Sequence, residues 1–150
     1  MSELSMSKAE REAFLAETHV GLLSVTDEDG RAPLSIPVWY TYEPGGRIVF
    51  LTEEKSKKVR LLRKSGRATF VAQTGTLPYR YVTVEGPVSF ESDYDPKREI
   101  EDVAIRYLGR ELGKRYVAST KEMYANAEQV LVSIRPERWA SADFSKMMPS

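Results

Sequence analysis

The sequence contains no cysteine, only one histidine and no long hydrophobic run. The lack of cysteine excludes disulfides, thiolate catalysis, zinc–thiolate sites and iron–sulfur clusters. The histidine, His19, opens the apolar run at 20–23, so we expect a strand-edge or core residue rather than the base of a serine hydrolase. No apolar segment approaches the ~20 residues of a membrane helix, and the N-terminus is polar and charged. We therefore expect a cytoplasmic protein with no membrane partner.

Glycine-rich phosphate loops of the GxGxxG and Walker types are also absent. An enzyme that lacks these loops, lacks cysteine and has no well-placed histidine must leave its chemistry to a bound cofactor. We therefore predict no catalytic side chain and no metal site. The length of 150 residues fits a single domain, spanning 1–150.

Positive charge is concentrated between Glu54 and Arg67, although the whole chain balances 22 basic against 22 acidic residues. A strand pattern at 47–52 precedes this segment, and Ser56 is placed to begin a helix. A helix start with a hydroxyl cap and clustered cations is a receptor for phosphate, so a phosphorylated cofactor is one hypothesis. After Glu54 the segment has no acid, and its basic residues are Lys55, Lys57, Lys58, Arg60, Arg63, Lys64 and Arg67.

The basic segment is also compatible with two roles that involve no cofactor. Lys and Arg are good helix formers, and a helix with Val59 and Leu62 inward and cations outward would need no ligand. Clustered cations also neutralise nucleic-acid phosphates. Because the chain has zero net charge and no matching recognition motif, we expect no nucleic-acid partner.

Hydrophobic periodicity predicts six strands and four helical segments. The first three strands are expected to form a meander, and all six an antiparallel barrel closed on itself, in a mainly β fold with helices (α+β). The expected strands cover 19–26, 32–42, 47–52, 67–73, 79–91 and 130–134, and the helices cover 7–17, 56–65, 95–109 and 112–126, the last of them broken and polar.

Pro37 lies in the middle of the second expected strand. Proline has no N–H for a ladder bond, so it belongs at an edge or a bulge, where neighbouring backbone groups can face a ligand. Ser35, Pro37 and Trp39 share one side of this strand, and a flat heteroaromatic ring could lie against them. The alternative is that Pro37 only blunts an edge and Trp39 packs under a loop or in a dimer contact.

Four segments in this order resemble the pyridoxamine 5'-phosphate oxidase-like split β-barrel superfamily: LSIPVWY at 34–40, IVFLT at 48–52, KSKKVRLLR at 55–63 and PYRYVTVEG at 78–86. Within it the chain is most similar to the flavin/deazaflavin oxidoreductases, which use FMN or coenzyme F420. The resemblance covers nearly the whole chain, from the first helix to the WxxxDFxK tail at 139–146. It implies a six-stranded antiparallel split β-barrel of the FMN-binding type.

The resemblance also implies a cofactor site in a groove between the two subunits of a homodimer. By position, the residues that would line the cofactor ring are Ser35, Ile36, Pro37, Val38 and Trp39. Those that would hold its phosphate are Thr52, Ser56, Lys57, Lys58 and Arg60, with Lys55 beside the longer anionic tail of F420. The helical region at 95–126 does not match the pyridoxal phosphate-binding residues of the vitamin-metabolising oxidases, so we do not predict that activity.

The function implied is an oxidoreductase that transfers a hydride between F420 or FMN and a small organic substrate. The PVWY segment and the extra cation at Lys55 favour F420 over FMN. Tyr79, Arg80 and Tyr81 are candidate substrate contacts, although aromatic residues in a strand are more often packing residues. The alternative is a non-catalytic protein of the same fold that binds the cofactor or a tetrapyrrole such as haem, for which His19 is the one histidine available as an axial ligand.

Overall fold

The computed structural model describes residues 3–149. Within this range the chain forms seven β-strands, four α-helices and one short 3₁₀ helix at Phe144–Met147. The strands are β1 Gly21–Val25, β2 Leu34–Val38, β3 Ile48–Glu53, β4 Arg67–Gln73, β5 Arg80–Glu91, β6 Gln129–Ile134 and β7 Arg138–Asp143. The helices are α1 Lys8–Ala16, α2 Lys57–Ser65, α3 Pro96–Leu108 and α4 Arg110–Asn126.

The helix boundaries follow the capping residues in the sequence. Ser7 and Glu10 form a reciprocal capping box at the start of α1, in agreement with the helix expected to begin at 7. Ser56 caps α2 by accepting a hydrogen bond from the N–H of Val59, and α2 ends at Gly66, whose φ of 71° is in the left-handed region. The predicted start and end of the basic helix are therefore confirmed.

The strands form one antiparallel sheet in the order β2-β1-β4-β5-β6-β3. The expected three-strand meander is wrong, because β3 pairs with β6 instead of β2. The chain leaves the sheet after Val38, four residues before the predicted end of the strand. Tyr40 turns into the core, where its side chain is fully buried and its hydroxyl donates a 2.7 Å hydrogen bond to the carbonyl oxygen of Leu15. The Tyr40 N–H bonds to the hydroxyl of Tyr107 in α3 and not to a strand.

A seventh strand, β7, occupies the segment that we expected to be a tail. β6 pairs with residues 88–91 of β5, and β7 pairs with residues 80–85 of the same strand. Residues 131–143 are therefore one long antiparallel partner of β5 with a bend at 135–137. The bend passes over Gly86, where a Cβ atom would lie 1.7 Å from the carbonyl oxygen of Arg135.

Helices α3 and α4 form a hairpin that turns at Gly109, and α4 is continuous, not broken as expected. The two helices approach closely at Gly113, where a Cβ would lie 2.8 Å from the backbone nitrogen of Ile105. Arg106 anchors α3 by donating to the carbonyl oxygens of Ala16 and Glu17 at the end of α1, at 3.1 and 2.8 Å. This anchor fixes the hairpin over one side of the barrel.

The hydrophobic core lies inside the barrel and under helices α1 and α2. Phe14 and Leu15 of α1 and Val59, Leu61 and Leu62 of α2 pack against it. The largest buried side chains contributed by the sheet and its connections are Leu23, Tyr40, Ile48, Phe50, Phe70, Val82 and Ile134. None of the helices in residues 3–149 combines the length and the apolar composition needed to cross a membrane.

The barrel is split between its two outermost strands. Apart from one β-bridge between Thr41 and Val49, β2 and β3 form no pairing across this gap in the described residues. The prediction of an antiparallel split barrel in an α+β fold is confirmed, with seven strands in place of six. Pro37 lies on the edge strand β2, opposite Leu22 of β1, which is the position that its missing N–H requires.

We predict that Gly86→Ala destabilises the fold by about 1–3 kcal/mol, because the new methyl group collides with backbone and not with a movable side chain. Urea unfolding measures the change in free energy. Gly75→Ala is the matched control, since a Cβ there meets nothing within 4 Å. Equal stability of the two variants would contradict the close crossing at Gly86.

Candidate functional site

A cavity of about 370 Å³ lies in the split of the barrel. β2 supplies one wall, Leu51 of β3 and Lys58 of α2 supply the other, and the α3–α4 hairpin covers the top. The volume is within the range of about 300–1,000 Å³ that is usual for small-molecule sites. The lining residues are Val20, Pro37, Val38, Trp39, Leu51, Lys58, Glu99, Ile100, Val103, Ala104, Tyr116 and Tyr124.

Three of the five residues predicted to line a cofactor ring lie in this cavity: Pro37, Val38 and Trp39. The other two lie in the same strand but are not part of the lining. Ser35 is exposed, and its hydroxyl lies 3.2 Å from that of Ser24 on β1. Ile36 is half-buried. The structure therefore brings the second half of β2 to the cavity and leaves the first half beside it.

Trp39 has an aromatic partner within the chain. Its ring stacks on Tyr107 of α3, with centroids 4.8 Å apart and planes inclined by 5°, and it also contacts the tilted ring of Tyr116. The Tyr107 hydroxyl donates to the carbonyl oxygen of His19 at 2.5 Å and accepts from the N–H of Tyr40. Within the described residues, Trp39 is thus packed against aromatic rings of α3 and α4 and forms part of one wall of the cavity.

Lys58 is the basic residue of α2 that faces the cavity. Its ammonium group donates a 2.6 Å hydrogen bond to the hydroxyl of Thr52, the buried polar side chain at the end of β3. Burial lowers the pKa of Lys58, while the nearby charge of Glu53 opposes this effect. No ion pair within 4 Å joins Lys58 to an acid among residues 3–149, so its charge is available to an anionic ligand.

The neighbouring cations of α2 are already paired with acids. Lys57 lies 3.0 Å from the buried carboxylate of Asp27, and Arg60 pairs with Glu28. Both acids belong to the turn between β1 and β2, which therefore neutralises much of the charge that the sequence concentrates in the helix. Lys55 is exposed, without an ion pair in the described part of the chain.

The predicted phosphate-binding residues thus fall into two groups. Thr52, Ser56 and Lys58 lie together at the start of α2, where the first N–H groups of a helix have no intrahelical acceptor. The Ser56 hydroxyl already donates to the carbonyl oxygen of Glu53 at 2.8 Å. Lys57 and Arg60 point to the acidic turn. Their assignment to a cofactor remains a prediction.

The candidate substrate contacts in β5 lie outside the cavity lining. Tyr79 and Tyr81 are exposed, and the Arg80 guanidinium lies 4.8 Å from the ring centroid of Phe14. His19 stacks on Phe14 and hydrogen-bonds its carbonyl oxygen at 3.0 Å, and burial lowers the pKa of His19. His19 therefore lies two residues before β1 and is half-buried against Phe14, a position consistent with the expected strand-edge residue.

Sequence reasoning missed the residues that the α3–α4 hairpin contributes. Ile100, Val103 and Ala104 follow the apolar spacing of α3, which signalled only a packed helix face. Tyr116 and Tyr124 lie two turns apart in α4, and their hydroxyl oxygens are 3.1 Å apart. Burial, followed by the interaction with Tyr116, raises the pKa of Tyr124 to about 12. Among residues 3–149, no group of His, Cys, Asp and Glu could hold a metal ion.

An antiparallel split barrel with a cleft at its open edge defines a class that includes flavin- and F420-binding proteins, some of them oxidoreductases. The family model described as pyridoxamine 5'-phosphate oxidase matches residues 7–143. The chain therefore belongs to the pyridoxamine 5'-phosphate oxidase family. None of the proteins with curated functions matches it.

Solved structures give the same fold. A conserved hypothetical protein from Mycobacterium tuberculosis is 28% identical, with a TM-score of 0.78, over 100% of this chain and 93% of that one. A structure described as an F420 reductase is 21% identical, with a TM-score of 0.66, over 86% and 94% of the two chains. An FAD-binding protein from Mesorhizobium loti is 18% identical, with a TM-score of 0.63, over 91% and 93%.

We predict that the positive charge of Lys58 lowers the free energy of unfolding by an amount that depends on pH. Because the folded-state pKa of Lys58 is below its unfolded value, the charge penalises folding at neutral pH. The penalty decreases once the pH exceeds the folded-state pKa and is gone above the unfolded-state pKa. The stability of the wild type relative to Lys58→Met should therefore increase with pH, as urea unfolding at neutral and alkaline pH would measure. Lys57→Met, the same substitution one residue away, is the control. The prediction would be contradicted if the difference in free energy of unfolding between the wild type and Lys58→Met did not change with pH.

Proposed function

We propose that the protein binds F420 or FMN in the cleft between β2 and β3 and transfers a hydride between this cofactor and a small organic substrate. The observation that carries the proposal is the position of Lys58, a half-buried cation that lines the cavity beside Trp39 and forms no ion pair within 4 Å among the described residues, although Glu99 lines the same cavity. An anionic ring compound fits both features. The F420 reductase and the FAD-binding protein of the same fold support a cofactor of this type.

The ring of the cofactor would lie against Pro37, Val38 and Trp39. β2 pairs with a strand on one side only, so backbone N–H and C=O groups on its free edge are available to the polar atoms of a heterocycle. Trp39 is held by Tyr107 and would not need to reorganise on binding, which reduces the entropic cost. Ser35 and Ile36 would then lie beside the ring site rather than under it.

The phosphate would lie at the start of α2, against Thr52, Ser56 and Lys58. A cation and free helix N–H groups at the same place favour an anion. Lys57 and Arg60 would take part only by exchanging Asp27 and Glu28 for phosphate, so we expect them to contribute less than Lys58. The exposed Lys55 is free for the anionic tail of F420, which keeps F420 the favoured cofactor.

The cofactor would supply the hydride chemistry, and the chain would supply binding, orientation and a partly dry site. Val38, Leu51, Ile100 and Val103 give the cavity its apolar lining. Among the described residues that line the cavity there is no serine, threonine or cysteine. This arrangement suits redox chemistry in which the protein positions two flat molecules.

A haem-binding function is less consistent with this site. His19 is engaged with Phe14, both by stacking and by a hydrogen bond, and would have to leave the core to reach an iron atom. A non-catalytic protein that only holds the cofactor stays the alternative. Turnover of reduced cofactor with a panel of electron acceptors distinguishes the two.

We also propose a homodimer. The outward face of the sheet carries exposed apolar side chains just before β1 and on β1 and β5, including Val20, Leu22 and Tyr81. A second subunit on this face would bury them and close the open side of the cofactor groove.

We predict that Lys58→Ala weakens F420 or FMN binding by about 1.5–3 kcal/mol, which is tenfold or more in affinity, because a charge-assisted contact to phosphate is lost. Lys57→Ala should have a smaller effect, because Asp27 already neutralises that cation. Fluorescence titration of each variant with each cofactor measures the affinities and shows which substitution weakens binding more. Unchanged affinity in the Lys57→Ala/Lys58→Ala double variant would remove the phosphate-site assignment.

The dimer leads to a separate prediction. Light scattering after size exclusion should give twice the 17.0 kDa mass of the chain, and Leu22→Lys should shift the protein toward monomer because a charge would be buried at the interface. Met123→Lys, at an exposed position on α4, is the control. A monomeric wild type that still binds cofactor tightly would argue against the interface.

A further inference from the structure

The hydroxyl groups of Tyr116 and Tyr124 form a pair on the cavity wall contributed by α4. Their oxygens are 3.1 Å apart, and both side chains line the cavity. Tyr116 contacts the ring of Trp39, and the pair shares the cavity lining with Ile100 and Val103 of α3. Neither residue is needed to hold the proposed cofactor phosphate, so their function is a separate question.

The hydrogen-bonding capacity of this pair is incompletely used. Two phenol groups carry two donor hydrogens, and only one of them can lie between the two oxygens. Neither hydroxyl has a further acceptor among residues 3–149. One O–H group is therefore left without a protein acceptor at the surface of the cavity.

The surroundings keep this O–H protonated and shield its hydrogen bonds from water. Trp39, Ile100 and Val103 reduce the exposure of the pair to water, and a hydrogen bond is electrostatically stronger in such a medium. Burial also keeps Tyr124 in its neutral, proton-bearing form, with a pKa raised to about 12. A donor in an apolar wall selects an acceptor atom on an otherwise apolar ligand.

We propose that the Tyr116–Tyr124 pair binds the oxygen of a flat, largely apolar molecule that carries a carbonyl or phenolate-type oxygen. Calling that molecule the substrate rests on the proposed function, whereas the binding itself does not. The apolar walls fit its body, and the free O–H fixes its orientation. Fixed donors of this kind are most favourable to an oxygen with negative charge.

The test uses 4-nitrophenol and the protein without added cofactor. The phenol and phenolate forms of this probe differ in colour, so a pH titration reports the pKa of the bound probe. We expect the wild type to bind the phenolate and to lower that pKa. The Tyr116→Phe/Tyr124→Phe double variant should lose about tenfold or more in phenolate affinity, as for a hydrogen bond to a charged group. Each single variant should lose less, because the remaining hydroxyl keeps a free hydrogen.

Two controls separate this site from its neighbours. Tyr94→Phe removes a half-buried phenol outside the cavity lining and should not change phenolate affinity. Lys58→Gln tests whether the nearby cation, and not the tyrosine pair, holds the oxygen. The proposal is overturned if Lys58→Gln abolishes the pKa change while the double tyrosine variant retains it.

A comparison of two ligands on the wild-type protein tests the proposal even if a tyrosine variant does not fold. The wild type should bind 4-nitrophenolate at least about tenfold more tightly than 4-nitrotoluene, which has the same ring but no ionisable oxygen. Equal affinity for the two compounds would overturn the proposal. Because no cofactor is added, failure here would leave the F420 and FMN titrations unaffected, and failure of those titrations would leave this result standing.

Discussion

The single bridge between Thr41 and Val49 is the constraint on which the rest of the structure depends. A sheet of this size lowers its free energy by closing, because closure pairs the backbone groups of its edge strands. Here closure stops at one bridge: Pro37 has no N–H to offer, and Tyr40 has turned inward to bond to α1 and α3. The backbone groups that face the gap between β2 and β3 are consequently left without a ladder partner, and other elements cover the gap.

The α3–α4 hairpin provides that cover, and its anchors explain why the cover is incomplete. Arg106 and Tyr107 hold α3 at the end of α1 and beside Trp39, at the C-terminal part of the helix. Gly113 brings α4 close at the same end. Away from these contacts α3 and α4 lie over the gap without a comparable anchor, and a cavity remains beneath them. The same interactions that stabilise the fold therefore produce a site whose polar groups come from separate elements.

Much of the fold could be predicted from local sequence signals. The capping box at Ser7, the Ser56–Gly66 limits of the basic helix and the bounds of β4 all depend on nearby residues, and all were correct. The partner of β3 and the strand β7 depend on pairing between residues far apart in the sequence. No periodicity reports whether a strand pairs with its neighbour in sequence or with one that follows eighty residues later.

The charged residues of the candidate site show the same difference between local features, which the sequence predicts, and long-range contacts, which it does not. The sequence correctly located the cations of α2, but it could not assign them, because Asp27 and Glu28 lie about thirty residues away and meet the helix only after the β1–β2 turn folds back. Ion pairs with that turn satisfy Lys57 and Arg60. Lys58 instead faces the cavity, where its burial is only partly offset by the charge of Glu53 and no acid among the described residues forms an ion pair with it. A desolvated, unpaired cation costs stability unless a ligand supplies the missing charge. Lys58, and not the total positive charge of the helix, is therefore the strongest argument for an anionic ligand.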